Sequence, residues 1–137
     1  MDNRAVQIPH FEVEREIGHG AMSVVYRAVR GGRAFAVKVM REAQPGTSVD
    51  ATLRFRREAA ALARLNNPGL VKVLEAGESG GRPYLVMELV EGEDLANVLR
   101  RGPLRESVLL RYAVSLAAAL AEVHRRGLIH RDVKPSN

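Results

Sequence analysis

Apolar and polar residues alternate, with one lapse, along Phe11-Glu12-Val13-Glu14-Arg15-Glu16-Ile17, which predicts a half-buried β-strand. Gly18-His19-Gly20-Ala21-Met22-Ser23 separates it from Val24–Val29, a β-branched and strand-like run. Gly31-Gly32 predicts a turn, and Arg33–Met40 a third strand. Gln44–Ser48 contains Pro45-Gly46 and reads as a linker. A helix is predicted from about Asp50 to Leu65, with Thr47, Ser48 or Asp50 as N-cap and Asn67-Pro68-Gly69 as its stop. Leu70–Leu74 and Arg82–Glu88 predict two further strands across a turn-rich Gly77–Gly81.

Beyond Gly92 the period changes. A short helix is predicted from about Asp94 to Arg101, stopped by Gly102-Pro103, and a long one from about Arg105 to Arg126. Leu109, Tyr112, Ala113, Leu116, Leu120 and Val123 recur there at helical spacing, the signature of a core-facing stripe. Gly127 is the expected cap. Residues 1–10, polar and containing Pro9, read as a flexible leader. Together the elements predict an α+β fold: a five-stranded antiparallel sheet with one packed helix, followed by a mostly helical part.

Composition narrows the class. A chain of 137 residues with 46% hydrophobic content supports one compact domain. It has no cysteine, which excludes disulfides and thiolate metal sites. No signal pattern opens the chain, and no unbroken apolar run approaches the roughly 18 residues of a membrane span. A cytoplasmic location without a membrane segment is therefore expected. The net charge of +5 is carried by scattered Arg with only 4% aromatics, so a solvated surface is expected and not a nucleic-acid partner.

The chemistry is concentrated in a few residues. Lys38, Lys72 and Lys134 are the only lysines among 21 cationic residues. A compact ammonium does what the planar fork of Arg cannot, which favours a chemical reason for Lys38 and Lys134. Asp132, Lys134 and Asn137 stand at the spacing of a phosphoryl-transfer loop. The glycine pattern at 18–23 precedes a strand and not a helix, so it is a hairpin tip and not a dinucleotide-binding βαβ unit. Such glycines either make a tight turn or let backbone N–H groups approach phosphate. Glu58, one turn before Leu62, is either a surface partner for neighbouring Arg or the anion that holds Lys38. The histidines 10, 19 and 124 have no metal-like spacing, and His130 reads as a packing residue of the loop.

The motifs I-G-H-G-A-M-S-V-V-Y, A-V-K, R-F-R-R-E, Y-L-V-M-E-L-V-E-G and H-R-D-V-K-P-S-N occur in that order, and from Phe11 to Asn137 the chain resembles the N-terminal part of a bacterial, eukaryotic-like serine/threonine protein kinase domain. The resemblance implies a complete N-lobe with hinge over 11–90 and the start of a C-lobe over 91–137. It implies ATP and Mg2+ as cofactors and protein hydroxyls as substrate. Gly18, His19, Gly20, Ala21, Met22 and Ser23 would form the loop over the phosphates. Ile17, Val25 and Ala36 would roof the adenine, with Met87 behind it. The Glu88 carbonyl and the Val90 N–H would bond its edge, and Asp94 the ribose. Lys38 would hold the α- and β-phosphates and pair with Glu58. Asp132 would take the proton of the acceptor hydroxyl, Lys134 would steady the γ-phosphoryl, and Asn137 would bind magnesium. Arg131 resembles the arginine that reads an activation-loop phosphate.

Asn67 stands where the family commonly has His, and no D-F-G, activation loop or A-P-E is found in the 137 residues. A polypeptide of these residues alone is therefore expected to be inactive, to hold ATP weakly, and to self-associate through its long helix. Two rivals remain at this level: a small-molecule phosphotransferase of aminoglycoside or choline type, and a kinase-like module that binds nucleotide or a partner without chemistry.

Overall fold

The structure, a computed structural model, describes residues 6–20, 23–41, 49–130 and 133–137, and in the first helix the side chains at 49–52, 54 and 58 lie outside that description. Five strands, β1 (Glu12–His19), β2 (Ser23–Arg30), β3 (Arg33–Met40), β4 (Val73–Ser79) and β5 (Arg82–Glu88), pair antiparallel in the order β1-β2-β3-β5-β4. Helix α1 (Val49–Ala63) lies between β3 and β4 in sequence, and α2 (Leu95–Arg100) and α3 (Glu106–Arg125) follow β5. The chain divides into two compact units, residues 1–64 with 71–90, and residues 65–70 with 91–137.

In the first unit, two tight hairpins set the register. Gly31 and Gly32 have φ of 57° and 75°, and Gly80 and Gly81 repeat those values. Positive φ at both central residues is the type I′ turn, whose twist matches that of the flanking strands. Each turn is closed by its flanking pair, Arg30 with Arg33 and Ser79 with Arg82.

Alternation along the strands divides the apolar residues between two faces. Ala28, Phe35, Val37, Val39, Tyr84 and Val86 form one core with Ile8. On the other face, Val73 and Leu85 pack with Ala59 of α1, joined by Phe55, Leu62 and Met87.

Two expectations are corrected here. The leader is not loose from residue 6 onward: Ile8 is 3% exposed, Val6 and Phe11 pack on the same core, and the Ser79 hydroxyl donates to the Gln7 carbonyl. The Phe11 N–H closes a turn on the Ile8 carbonyl at 3.0 Å, with His10 at φ 67°. Polar composition concealed this because two apolar side chains suffice to dock the segment on an open apolar face. Residues 1–5 lie outside the described residues. The fourth strand begins at Val73 and not at Leu70, and it runs through Gly77-Glu78-Ser79. Asn67 explains the late start: its Oδ1 accepts the Gly69 N–H at 2.8 Å and its carbonyl accepts the Leu70 N–H, so a side-chain-stabilised turn occupies 67–70.

In the second unit, α3 ends as a Schellman motif. Gly127, at φ 71°, donates to the His124 carbonyl, and the Leu128 N–H reaches the Val123 carbonyl. Gly69 approaches α3 closely; a Cβ there would lie 3.1 Å from the Ala119 Cβ. Among α3 residues only Ala119 and Val123 are buried, while Leu109, Leu110, Tyr112, Val114 and Leu116 are exposed. By length and composition alone α3 is long and apolar enough to cross a membrane. Looking for an unbroken apolar run missed it because Arg111 and Glu122 interrupt the sequence. Those charges, and the helical period of the apolar positions, describe an amphipathic helix.

Candidate active site

The β1–β2 hairpin carries the glycine loop. His19 pairs with Val24, and the Gly20 N–H donates to the Ser23 carbonyl at 2.8 Å, closing the tip. Ala21 and Met22 lie outside the described residues. Gly18 and Gly20 are not required by the fold. Neither has positive φ, and among the described residues a Cβ on either would meet nothing nearer than Val25 Cβ at 4.0 Å or Ser23 Oγ at 3.7 Å. A bulge between Glu16 and Gly18 places Ile17, 38% exposed, where an inserted residue re-aims its side chain. At the loop's edge, the His19 ring bonds the Glu16 carboxylate at 2.8 Å.

Lys38 sits in the middle of the sheet. It is paired with Val25 of β2 on one side and Leu85 of β5 on the other. Two residues before it, Ala36 is paired with Arg27 and Met87. Cross-strand partners share a face, so Ala36, Lys38, Val25, Leu85 and Met87 all belong to the α1 side, where Leu85 and Met87 pack around Ala59. Glu58 immediately precedes Ala59, which is 2% exposed, so the backbone carrying it is fixed against Lys38's own cross-strand neighbour. The Glu58 side chain lies outside the described residues.

The end of β5 is held by a contact that the sequence did not announce. The Glu88 N–H donates to the Lys72 carbonyl at 3.0 Å, and the Lys72 N–H donates to Glu88 Oε1 at 2.9 Å. Lys72 thus acts through its backbone. Val90, two residues on, is 65% exposed.

In the second unit Asp94 is the N-cap of α2: its carboxylate accepts the Asn97 N–H at 2.8 Å and the Asn97 side-chain amide at 3.0 Å. This cap satisfies one of the helix's orphan donors. A second orphan, the Ala96 N–H, donates to the Pro135 carbonyl at 3.0 Å, which ties the segment bearing Lys134 and Asn137 to the start of α2. The Asn137 N–H closes a turn on the Lys134 carbonyl, also at 3.0 Å. Glu93 and Arg101 clamp α2 from both ends with a two-pronged ion pair at 2.9 and 2.7 Å. Arg131 and Asp132 lie outside the described residues. The capping role of Asp94 and the Pro135 bond were missed by sequence reading. Asp94 three residues before Asn97 was the available signal for the first, and nothing local marks the second.

The first unit therefore brings together Ile17, Gly18, Gly20, Val25, Ala36, Lys38, Met87 and Glu88 on one sheet, and the second brings Asp94, Lys134 and Asn137 together around α2. The sequence family described as protein kinase domain matches residues 11–137. Serine/threonine-protein kinase PknL of Mycobacterium tuberculosis is 45% identical over 128 residues, covering 91% of this chain and 32% of the relative. Serine/threonine-protein kinase pkn2 of Myxococcus xanthus is 42% identical over 132 residues, covering 93% of this chain and 15% of the relative. This chain thus spans a third or less of the length of these curated relatives. The crystal structure of the M. tuberculosis PknI kinase domain superposes with a TM-score of 0.82 at 33% identity, covering 96% of this chain and 54% of that one. Sequence, sheet order and the arrangement of the motifs agree: the chain belongs to the protein kinase domain family.

Proposed function

We propose that these residues form the nucleotide-binding unit and catalytic loop of an ATP-dependent protein serine/threonine kinase. ATP and Mg2+ are typical of the family, and relatives named serine/threonine-protein kinases support a protein hydroxyl as acceptor; the cytoplasm is the place of action in this reading. The observation that carries the reading is the placement of Lys38. Lys38 is half-buried at the sheet centre, flanked by Val25, Leu85 and Ala36 and next to a helix that carries Glu58, a place where a compact ammonium suits an anion. The residues also fit a nucleotide by a second test. Among the described residues a Cβ at Gly18 or Gly20 would make only ordinary contacts, so their lack of a side chain is not forced by close packing there and suits backbone N–H groups to phosphate oxygens.

In this reading Ile17, Val25, Ala36 and Met87 enclose the base, Lys38 holds the α- and β-phosphates, and Glu58 holds Lys38. Asp132 accepts the proton of the attacking hydroxyl while Lys134 neutralises the γ-phosphoryl. Asn137 would hold magnesium, which would supply charge neutralisation on the phosphates. Transfer is in line, so catalysis is mainly positioning and electrostatics. The 137 residues contain no D-F-G, so the proposal for turnover concerns a polypeptide that includes the remainder of a kinase domain.

The test is labelled-phosphate transfer to a protein substrate by such a polypeptide. Lys38→Met, Glu58→Gln and Asp132→Asn should each lower the rate by roughly a hundredfold or more. Lys38→Arg should fail as well, because the guanidinium fork is larger and differently directed. Near-normal turnover by Lys38→Arg or Asp132→Asn would overturn these roles.

A further inference from the structure

One residue before β4, the chain is joined to the end of β5 by a side chain. In an antiparallel ladder, a hydrogen-bonded pair exchanges two bonds, each N–H to the other's carbonyl. Glu88 and Lys72 make one of these: the Glu88 N–H donates to the Lys72 carbonyl at 3.0 Å. The return bond goes elsewhere, from the Lys72 N–H to Glu88 Oε1 at 2.9 Å. A carboxylate oxygen stands where the main-chain carbonyl of the same residue would accept. The bulge between Val73 and Glu75 lies beside this pair, so the ladder is already out of regular register when it reaches Lys72.

We propose that the Glu88 carboxylate is a positioning residue for base recognition: by taking the Lys72 N–H it keeps the Glu88 main-chain carbonyl out of the ladder and available to the exocyclic amine of a 6-aminopurine. This rests on the nucleotide reading above, and adds to it a cause for the carbonyl's availability. A backbone N–H at this position needs an acceptor. If the side chain does not provide one, the nearest is the Glu88 carbonyl itself, which completes the regular pair and turns away from a ligand. The side chain must therefore be an acceptor of this length. Glutamine retains the oxygen, whereas alanine removes it.

The experiment compares the binding of ATP and of purine riboside triphosphate, which has hydrogen in place of the 6-amino group, to the wild-type protein, Glu88→Gln and Glu88→Ala by calorimetric titration. Amide hydrogen exchange at Lys72 is followed in the same three proteins. One hydrogen bond to the amine corresponds to a preference for ATP of roughly three- to tenfold. Wild type and Glu88→Gln should both show it. Glu88→Ala should bind the two nucleotides equally while its Lys72 amide stays protected, now by the Glu88 carbonyl. A general loss of structure would instead expose the Lys72 amide and weaken both nucleotides. The proposal is overturned if Glu88→Ala keeps the wild-type preference for ATP, or if its Lys72 amide loses protection. Failure of the wild-type protein to bind either nucleotide would overturn the underlying reading, and this proposal with it.

Discussion

Gly77 of β4 and Tyr84 of β5 face each other across the ladder, and a Cβ on Gly77 would lie 2.5 Å from both Cζ and Oη of the tyrosine. The ring cannot swing aside cheaply, because Tyr84 is 7% exposed and packed with Val39 and Val86 in the core shared with Ile8. Gly77→Ala should therefore destabilise the protein by about 1–3 kcal/mol, the usual cost of overpacking. In a Tyr84→Ala background the same change should cost little. Chemical denaturation of the two single variants and the double variant checks this; equal costs of Gly77→Ala in both backgrounds would refute it.

The glycines of the phosphate loop should behave in the opposite way. Gly18→Ala and Gly20→Ala meet no close neighbour among the described residues and need no unusual φ, so stability should stay within about 0.5 kcal/mol of wild type. Nucleotide affinity should nevertheless fall, because the added methyl groups occupy the space reserved for phosphate. Gly32→Ala, at φ 75°, should instead lower stability by about 1 kcal/mol and leave nucleotide binding alone. Thermal melts and nucleotide titration of the same variants separate the two effects.

Stability should decline in alkaline solution through Tyr84. Burial raises the phenol above its usual value near 10, the nearby Glu75 carboxylate raises it further, and Arg30 partly offsets both. Below pH 10 the folded and unfolded states hold the same proton, so there is no pH dependence from this group. Above it the unfolded chain releases the proton first, and stability falls as pH rises toward the folded value. Tyr84→Phe should flatten this decline, as measured by denaturation between pH 9 and about 11. An unchanged slope in Tyr84→Phe would assign the effect to other groups.

The exposed face of α3 should make a polypeptide of residues 1–137 self-associate. Leu109, Leu110, Tyr112, Leu116 and Val114 are 45–69% exposed along one helix, a contiguous apolar surface of the kind that promotes association. Sedimentation should show mass rising with concentration, and Leu109→Glu with Leu116→Glu should reduce it. A monomer across a wide concentration range that binds no hydrophobic dye would contradict the expectation.

Much of this protein is written in local pattern. Arg33–Met40 and Arg82–Glu88 were legible as strands residue for residue, because short apolar runs opened by paired glycines act over a few neighbours. The same holds for α3 and its Gly127 cap, where helical period and one left-handed residue decide the outcome. The order and spacing of the chemical motifs were also local, so Lys38, Lys134 and Asn137 could be named before any fold was known. Tertiary packing decided the rest. Docking of Ile8, the start of β4 at Val73, and the tolerance of Gly77 within a strand all depend on surfaces made by residues distant in sequence. The Glu88 carboxylate went further: the fold uses it to satisfy the Lys72 N–H, far away in sequence, whereas the Asp94 cap on Asn97 is local and its signal lay in the sequence. Local periodicity reports which residues prefer to be buried. Where every backbone donor finds its acceptor is settled only when separate elements meet, because the partner and the geometry come from elsewhere in the chain.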